Sequence, residues 1–362
     1  MLEGSSAGHD VGVSVNFRPI VSVVIPTRNR RVSLRRTLEA LARQDRPPEE
    51  VVIVDASDAP LDESILCAAR NAFPVVYLQT LPGVCLQRNI GIRRARGSHV
   101  LLCDDDIEPP PDYLRRLTEY LHQHPSAGAV TGIVCEPDDV NGFSHGLQAP
   151  SFRHLLFSFL FQLTVWADVE VATGARLSGF PLMLLKRWYR LRGNTWSLAG
   201  WPLVTQARGP VLHTATYGLG AALVRRDWLL ASPYDERLGA HGIGDNYGVA
   251  LGFPGERPIA VLKDLPVLHH RAEENRLDPA DAYLRRVLAL DYFMRKSPRF
   301  SRLNTAFLAW SLVGKAIIFA LRRRSDMLRR TIRALGLVMS ARNPLVVEAA
   351  NAGAQEPARH DP

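Results

Sequence analysis

Four short apolar runs, each ending in polar residues, limit the folds open to this chain. They are IVSVVI (20–25), VVIVD (51–55), PVVYLQ (74–79) and HVLLCD (99–104). β-Branched and apolar runs of this length are typical of buried strands. The links between them are short and helical in pattern, which favours βαβ units with helices on both faces of a mostly parallel sheet. The sequence thus predicts a doubly wound α/β fold.

Helical patterns separate these runs. Leu34, Leu38 and Leu41 repeat at helical spacing after Ser33, which would serve as the N-cap. Residues 83–97 (GVCLQRNIGIRRARG) are also helical in pattern, and their last glycine is a stop signal. Strand and helix therefore alternate through the first part of the chain.

The alternation is less regular after the fourth run. A helix is predicted over 112–124 and a strand over 127–135, whereas 136–215 has poor periodicity and is interpreted as an insertion of loops and short helices. Pattern then returns as a strand and short helix (217–231), a glycine-rich loop and helix (241–253), a strand (259–271) and a helix capped by Asp278 (278–296).

Polar residues gather at the carboxyl ends of three predicted strands. Pro26 and Thr27 follow the first run, Asp55 ends the second, and Asp104–Asp106 end the fourth. Ligands of open α/β sheets bind beyond these ends. Three adjacent carboxylates on an apolar strand are costly unless a cation or water compensates them. A solvated acidic turn and a site for Mg²⁺ or Mn²⁺ bridging a diphosphate both fit the pattern.

The order of three motifs carries a family resemblance. The segments VSVVIPTRNR, EEVVIVDASD and GVCLQRNIGIRRARGSHVLLCDDDI resemble the nucleotide-sugar-binding half of glycosyltransferase family 2, whose members have the GT-A fold. The similarity spans 20–135 and continues more weakly through 217–271. It implies an inverting transferase that uses a nucleotide sugar and a divalent cation, Mg²⁺ or Mn²⁺. By this resemblance the nucleotide pocket would contain Pro26, Thr27, Asp55, Arg88, Asn89, Asp104 and Asp105.

The resemblance also implies individual roles at this pocket. Asp55 would accept a hydrogen bond from the ring N–H of the base. Asp104 would contact the ribose and Asp106 the metal, while Asp105 diverges because alternate residues of an extended turn point the same way. Where the family often has Asp-Asp-Gly-Ser, this chain has Asp-Ala-Ser-Asp, which leaves the contacts of the final Ser57-Asp58 open.

The second half would supply a catalytic base and complete the metal shell. The family's Glu-Asp at a helix start corresponds to Asp245-Asn246 in GIGDNYG, so Asp245 would deprotonate the acceptor, unless the register is shifted by one residue. An N-cap role alone is the alternative for Asp245. His269 would bind the metal, and since it and His270 point opposite ways from an extended strand, at most one is a ligand.

The resemblance divides the chain into four parts. We expect a flexible N-terminus (1–18), a GT-A catalytic domain (19–275), C-terminal helices that can associate with a membrane (276–350) and a disordered tail (351–362). Within the catalytic domain, 19–135 would bind the nucleotide sugar, 136–215 is the insertion, and 216–275 would hold the acceptor and the base.

The implied reaction is metal-dependent transfer of a sugar, with inversion, from a nucleoside-diphosphate sugar to a hydroxyl of a glycan or lipid-linked acceptor, in cell-envelope or polysaccharide synthesis. A non-catalytic nucleotide- or carbohydrate-binding relative is the alternative, given the altered Glu-Asp site. A nucleotidyltransferase would also use a doubly wound sheet, but it would need a glycine-rich phosphate loop, and PTRNRRVS has no glycine.

The net charge and the cysteine content indicate which binding partners and which cellular compartment suit this protein. The net charge of +8 favours an anionic partner, and the basic clusters, such as RRRSDMLRR, favour a membrane surface or phosphorylated substrate over nucleic acid. The four cysteines are interpreted as reduced core residues, and the N-terminus lacks the order of a secretory signal. We expect a cytoplasmic protein, peripheral on the inner face of the plasma membrane.

One apolar segment bears on that membrane association. Residues 303–321 have the length of a bilayer span, but Lys315 interrupts them and both flanks are basic. The basic ends and Trp310 favour a helix lying in the headgroup region of an anionic leaflet. A buried C-terminal helical pair and a true span are the alternatives.

Overall fold

A mixed β-sheet runs through the centre of the molecule. The computed structural model describes residues 19–138, 142–145, 147, 149–174 and 179–355, so the predicted flexible N-terminus lies outside the described residues. The strands are β1 (Val21–Thr27), β2 (Glu50–Asp55), β3 (Val75–Gln79), β4 (His99–Cys103), β5 (Ile107–Glu108), β6 (Ala129–Asp138), β7 (Gly142–Ser144), β8 (Val165–Trp166), β9 (Leu203–Val204), β10 (Val211–Thr214), β11 (Ala221–Arg225) and β12 (Ile259–His269).

The main sheet has the strand order β10-β12-β6-β11-β4-β1-β2-β3, with β5 beside β12 and β7 beside β6. β1 is parallel to β2 and β4, β2 is parallel to β3, and β6 is parallel to β12. β11 is antiparallel to both of its neighbours, and β10 is antiparallel to β12. The predicted α/β fold with a mostly parallel sheet is confirmed, and β10 and β11 are its reversed main strands.

Helices cover both faces of the sheet. Along β1, Val23 and Ile25 pack with Leu34 on one face, whereas Val24 packs on the other face against a helix in which Gly91 leaves no room for a side chain. The helices are α1 (Arg31–Ala42), α2 (Glu63–Arg70), α3 (Val84–Arg94), α4 (Tyr113–Gln123), α5 (Phe152–Leu160), α6 (Gly179–Arg192), α7 (Arg226–Ala231), α8 (Asp245–Leu251), α9 (Pro279–Lys296), α10 (Arg302–Leu321), α11 (Ser325–Met339) and α12 (Pro344–Gln355).

Two predicted helix caps have different outcomes. Asp278 caps α9 as expected, because its side chain accepts hydrogen bonds from two backbone N–H groups of the first turn, at 2.9 and 3.3 Å. The prediction for Ser33 is wrong, since α1 begins at Arg31 and its N-cap position is Arg30. The Arg30 side chain makes no capping bond; its guanidinium is held by Asp105 instead.

The segment predicted as an insertion has a small core of its own. Leu155, Val165, Val169, Tyr189 and Leu203 are buried together, joining α5, α6 and the two-stranded sheet formed by β8 and β9. The Tyr189 hydroxyl donates to the backbone oxygen of Leu155 at 3.2 Å, which ties α6 to α5. The short helices expected here are present, and α6 is the longest of them.

The C-terminal helices pack on one another, and α9 packs on α8. α10 has the length and composition of a membrane-crossing helix, and among the described residues it alone meets that test; 22% of its most apolar window is buried. Its buried residues, Leu308, Ser311, Leu312 and Gly314, form one side of the helix. The other residues of α10 are half-buried or exposed, and the helix packs against α11.

Two smaller expectations are wrong. Cys67 is exposed on α2, whereas the other three cysteines are buried as expected. α12 continues to Gln355, so 351–355 of the predicted disordered tail are helical, and the rest of that tail lies outside the described residues.

Candidate active site

Polar side chains from several strand ends line one cleft of about 250 Å³, here called the inner cleft. Because β1, β2 and β4 are parallel neighbours, their carboxyl ends meet at the same edge of the sheet. β12 brings His269 to the same place. Of the residues predicted for the site, Pro26, Thr27, Arg88, Asp104, Asp105, Asp106 and His269 line the inner cleft.

Asp55 is buried behind this edge rather than at the cleft wall. Its Oδ1 accepts a hydrogen bond from the backbone N–H of Ser57 at 2.8 Å, and its Oδ2 accepts one from the Tyr77 hydroxyl at 2.8 Å. Ser57 and Asp58 in turn bind Asn29, which ties the loop after β2 to the loop after β1. The altered Asp-Ala-Ser-Asp segment therefore holds two loops together.

A residue that the sequence did not single out anchors the same edge. Nε2 of Gln87 donates to the backbone oxygens of Thr27 and Val54, both at 2.8 Å, and so joins α3 to the ends of β1 and β2. Gln87 directly precedes Arg88 in the sequence. Its position beside the predicted Arg-Asn pair was the only sequence feature that could have marked it as a site residue.

Asp105 points back toward β1. Its Oδ2 accepts a hydrogen bond from the Thr27 hydroxyl at 2.8 Å, and its Oδ1 accepts one from Arg30 at 3.0 Å. Burial raises the pKa of Asp105 to about 7, although the Arg30 charge opposes the change. Its two neighbours have other partners: Asp104 contacts Arg88, and Asp106 contacts His269.

Asp106 is buried among cationic and N–H groups. Its Oδ1 lies 3.2 Å from Nε2 of His269, and its Oδ2 accepts from the backbone N–H of Ala272 at 2.9 Å and from Arg276 at 3.0 Å. Burial alone would raise the pKa of Asp106, but the His269 hydrogen bond and the nearby Arg30 and Arg276 charges lower it to about 2. The same contact with Asp106 raises the pKa of His269 to about 9 against the effect of burial.

The Asp106–His269 pair fits a divalent cation as two adjacent ligands. Octahedral ligands at about 2.1 Å from a metal lie about 3 Å apart, close to the observed separation of these two atoms. Glu136 lies 3.5 Å from the other ring nitrogen of His269, an arrangement that fixes the imidazole of metal-binding histidines. Among the described residues no group of three or more His, Cys, Asp or Glu forms a complete metal cage. The His270 ring contacts Glu108 instead.

Arg88 joins the two acidic parts of the site. Its guanidinium donates to Asp245 and, at 2.6 Å, to Oδ1 of Asp104, and it lies 5.1 Å from the centre of the Tyr234 ring. Asn89 does not reach the cleft: its amide donates to the backbone oxygen of Tyr234 and to Glu236, both at 2.9 Å. The predicted contact of Asn89 with a nucleotide has no support in this arrangement.

Asp245 is the first residue of α8 and follows Gly244, whose φ of 97° is a conformation that favours glycine. Its Oδ1 accepts from the backbone N–H of Asn246 at 2.6 Å, and its Oδ2 accepts from Arg88. The helix dipole would lower the pKa of such a carboxyl. Burial nevertheless raises the pKa of Asp245, against the opposing Arg88 charge.

A larger cavity of about 890 Å³, here called the outer cleft, opens beside the inner one. Both clefts are lined by Arg88, Asp104 and His269. Asp245 lines only the outer cleft. Its wall includes the stacked rings of Trp166 and Tyr217, with centroids 5.6 Å apart, and also Trp201 and Tyr247. The outer cleft therefore combines a carboxylate with aromatic side chains in its wall.

Comparison with known proteins identifies the family. The sequence profile of Glycosyl transferase family 2 matches residues 22–178, which include β1, β2, β4 and the three acidic residues. Residues 22–178 therefore form a glycosyltransferase family 2 domain. This family 2 glycosyltransferase is 27% identical over 207 residues to TuaG of Bacillus subtilis, a glycosyltransferase whose name assigns it provisionally to teichuronic acid biosynthesis. The match covers 53% of the chain and 82% of that relative.

A second relative is also named as a glycosyltransferase, and two solved structures share the fold. WcaA of Escherichia coli, named provisionally as a colanic acid biosynthesis glycosyl transferase, is 29% identical over 99 residues, 26% of this chain and 36% of the relative. S. aureus TarS 1-349 in complex with UDP-GlcNAc superposes with a TM-score of 0.53 at 16% identity, covering 92% of each chain. The mannosyltransferase PcManGT of Pyrobaculum calidifontis, in complex with GDP-Man and Mn²⁺, gives 0.52 at 15% identity, covering 89% of this chain and 88% of that one. These structures show that the family 2 enzyme has the GT-A fold.

Proposed function

We propose that this glycosyltransferase is metal-dependent and inverting, and that it transfers a sugar from a nucleoside-diphosphate sugar to a hydroxyl of a glycan or lipid-linked acceptor. The names of the relatives TuaG and WcaA support a place in cell-envelope polysaccharide synthesis. The cytoplasm, at the inner face of the plasma membrane, is the proposed site of action.

The inner cleft would hold the donor. Asp104 is the carboxylate of the acidic turn that is most open to solvent, and it faces both clefts, so it can accept hydrogen bonds from the ribose hydroxyls. The contact of Asp55 with the base stays a prediction, because Asp55 lies behind the cleft wall and each of its carboxylate oxygens already accepts one hydrogen bond. Structural neighbours crystallised with UDP-GlcNAc and with GDP-Man support a nucleotide sugar without selecting the base.

Asp106 and His269 would hold the divalent cation, and Glu136 would orient the imidazole. When bound, the cation would offset the charge that develops on the leaving diphosphate. Arg276 contacts the other carboxylate oxygen of Asp106, Oδ2, and could turn to the phosphates as the site fills. The Mn²⁺ in the complex of PcManGT supports a divalent cation in this fold.

Asp245 would act as the base in the outer cleft. A hydroxyl bound there would lie between Asp245 and a sugar at the junction of the clefts, where Arg88 and Asp104 lie. A raised pKa suits this role, because a more basic carboxylate takes a hydroxyl proton more readily. Direct displacement by that hydroxyl from the face opposite the leaving group inverts the anomeric carbon.

The contact between Asp106 and His269 is the observation that carries the proposal. A thermal-shift panel of UDP, GDP and their sugars, with and without Mn²⁺, tests it directly. We expect Mn²⁺ to strengthen binding of one nucleotide series, and Asp106→Ala to weaken that Mn²⁺-dependent binding by at least about tenfold. Asp264→Ala, which removes an exposed carboxylate that lines neither cleft, is the matched control. Unchanged Mn²⁺-dependent affinity in Asp106→Ala would overturn the metal assignment.

A further inference from the structure

The outward face of α10 is apolar along its whole length. Leu303, Trp310, Ile317 and Leu321 are exposed to 65%, 48%, 39% and 79%, and their spacing places them on one side of the helix. A surface helix of a globular protein normally turns polar residues outward. Contact with an apolar environment outside the chain would therefore remove this face from water.

The lysine in the middle of α10 points the other way. Lys315 lies over the Trp201 ring, 6.0 Å from its centre, and Nε1 of Trp201 donates to the Ser311 hydroxyl at 2.9 Å. Leu308 and Leu312 are fully buried on this inner side. The lysine that interrupts the apolar run in the sequence thus leaves the exposed stripe without a charge.

Cationic side chains stand at both ends of the stripe. Arg302 begins α10, and Arg322 and Arg323 follow its last residue. None of the three forms an ion pair within the part of the chain that the structure describes, whereas the next residue, Arg324, lies 3.8 Å from Asp326. Unpaired arginines flanking an apolar face complement anionic lipid headgroups.

The apolar surface continues onto the insertion. The Trp310 indole N–H donates to the backbone oxygen of Leu160 at 2.7 Å, and the Trp310 and Phe161 rings stack at 5.0 Å. Leu160 itself is exposed, and α5 leads through the Phe159–Trp188 ring contact to α6. On α6, exposed apolar residues again recur at helical spacing: Phe180, Met183, Leu184 and Leu191.

We propose that the exposed apolar residues of α10, together with those of the α5 end and α6, form a docking face for an anionic phospholipid bilayer. α10 lies in the plane of the membrane, with its apolar stripe at the boundary between headgroups and acyl chains and its end arginines on phosphates. Trp201 contacts α10 on one side and lines the outer cleft on the other. Docking therefore holds the outer cleft beside the bilayer and selects a lipid-linked acceptor; this last step rests on the proposed function.

Vesicle co-sedimentation of the full chain tests the docking face. We expect the protein to sediment with vesicles of phosphatidylcholine and phosphatidylglycerol, and weakly with phosphatidylcholine alone. The double variant Leu303→Glu/Leu321→Glu should lose at least about tenfold in vesicle affinity. Val32→Glu/Leu230→Glu, which makes the same charge change at exposed apolar positions on α1 and α7, should retain it. Circular dichroism confirms that both variants are folded.

Several outcomes would overturn the docking face. One is equal vesicle binding by Leu303→Glu/Leu321→Glu and the wild type; another is no binding of the wild type to phosphatidylglycerol vesicles. A wild-type dimer that the same variant converts to a monomer, without vesicle binding, would assign the face to a second copy of the chain. Resistance of bound protein to alkaline carbonate extraction would indicate a spanning helix instead. Because none of these measurements requires turnover, failure of the proposed reaction would leave them interpretable.

Discussion

Arg88 sets the charge balance where the two clefts meet. One buried guanidinium serves Asp104 of the inner cleft and Asp245 of the outer cleft, so the two carboxylates are held at the junction without a direct contact between like charges. A buried charge left without a partner strongly destabilises a protein. Because Arg88 pairs with two carboxylates, replacing one of them still leaves its charge compensated. The role of Asp245 can therefore be tested by a substitution that leaves Arg88 paired.

Replacing Asp245 by Asn should separate binding from catalysis. The amide keeps an oxygen for the Arg88 hydrogen bond but cannot take a proton, and Arg88 remains paired with Asp104. We expect kcat for sugar transfer to fall about 100- to 10,000-fold, the usual contribution of a general base, with little change in nucleotide affinity. Initial rates of transfer and a nucleotide thermal shift measure the two quantities.

The Asn246→Asp variant serves as the companion to that test. If the register of the family's Glu-Asp is shifted, a carboxylate at position 246 in the Asp245→Asn background should restore much of the lost rate. Transfer by Asp245→Asn within about tenfold of the wild type would place the base elsewhere. A wild type that binds nucleotide sugars but neither transfers nor hydrolyses them would favour a non-catalytic relative.

At the scale of elements, the cap of α9 matters because this helix joins the catalytic domain to the C-terminal helices. Asp278→Ala removes the acceptor for two backbone N–H groups. We expect it to lower the free energy of unfolding by about 1 kcal/mol. Asp278→Asn, which keeps a capping oxygen, should cost only a small fraction of this. Urea unfolding measures both, and equal losses would show that charge rather than capping matters.

The strands β1, β2 and β4 were predictable because each carries its own apolar signal. β1, β2 and β4 are buried along their length, so their composition alone marks them, and their order fixes where Thr27, Asp55 and Asp104–Asp106 meet. The reversal of β11 was not predictable from its own residues. Direction there depends on how the chain returns to the sheet, which short-range pattern does not encode.

The contacts inside the site were harder to foresee than its members. Arg30, Gln87 and Arg276 reach partners far away in the sequence, and an arginine in a basic run has no local signal that distinguishes it from a solvated one. Glu136 likewise lies in a strand end with an irregular sequence after it. The order of the motifs therefore predicted the acidic cluster. The arginines that pair with it could be identified only from the folded structure.

Across the whole molecule, the two ends of the sheet differ in the ionisable groups that they bury. The carboxyl end collects carboxylates with arginine partners, as at Asp106 and Arg276. At the opposite end His99 begins β4, buried between β1 and β11, with Val21 and Arg225 as its cross-strand neighbours. Burial lowers the pKa of His99 from 6.5 to about 4, and the charges of Arg225 and Arg46 add to this effect.

This buried histidine should make global stability depend on pH. Between pH 6.5 and about 4 the unfolded chain binds a proton at His99 that the folded chain does not, so stability is lost as the pH falls through this window. At pH 5 the loss from His99 should be roughly 2 kcal/mol. His99→Gln, which stays neutral and keeps a group that Ser98 can bind, should lack this part of the loss.

Urea unfolding at pH 7.5 and pH 5 measures the effect as a difference between wild type and variant. The difference is needed because Asp105, whose pKa is raised to about 7, binds its proton more tightly in the folded state and stabilises the protein as the pH falls. Asp105 acts equally in both proteins, since it lies at the other end of the strand from His99. Parallel pH dependence in His99→Gln and wild type would mean that His99 is protonated in the folded protein, with Asp227 as its counter-charge.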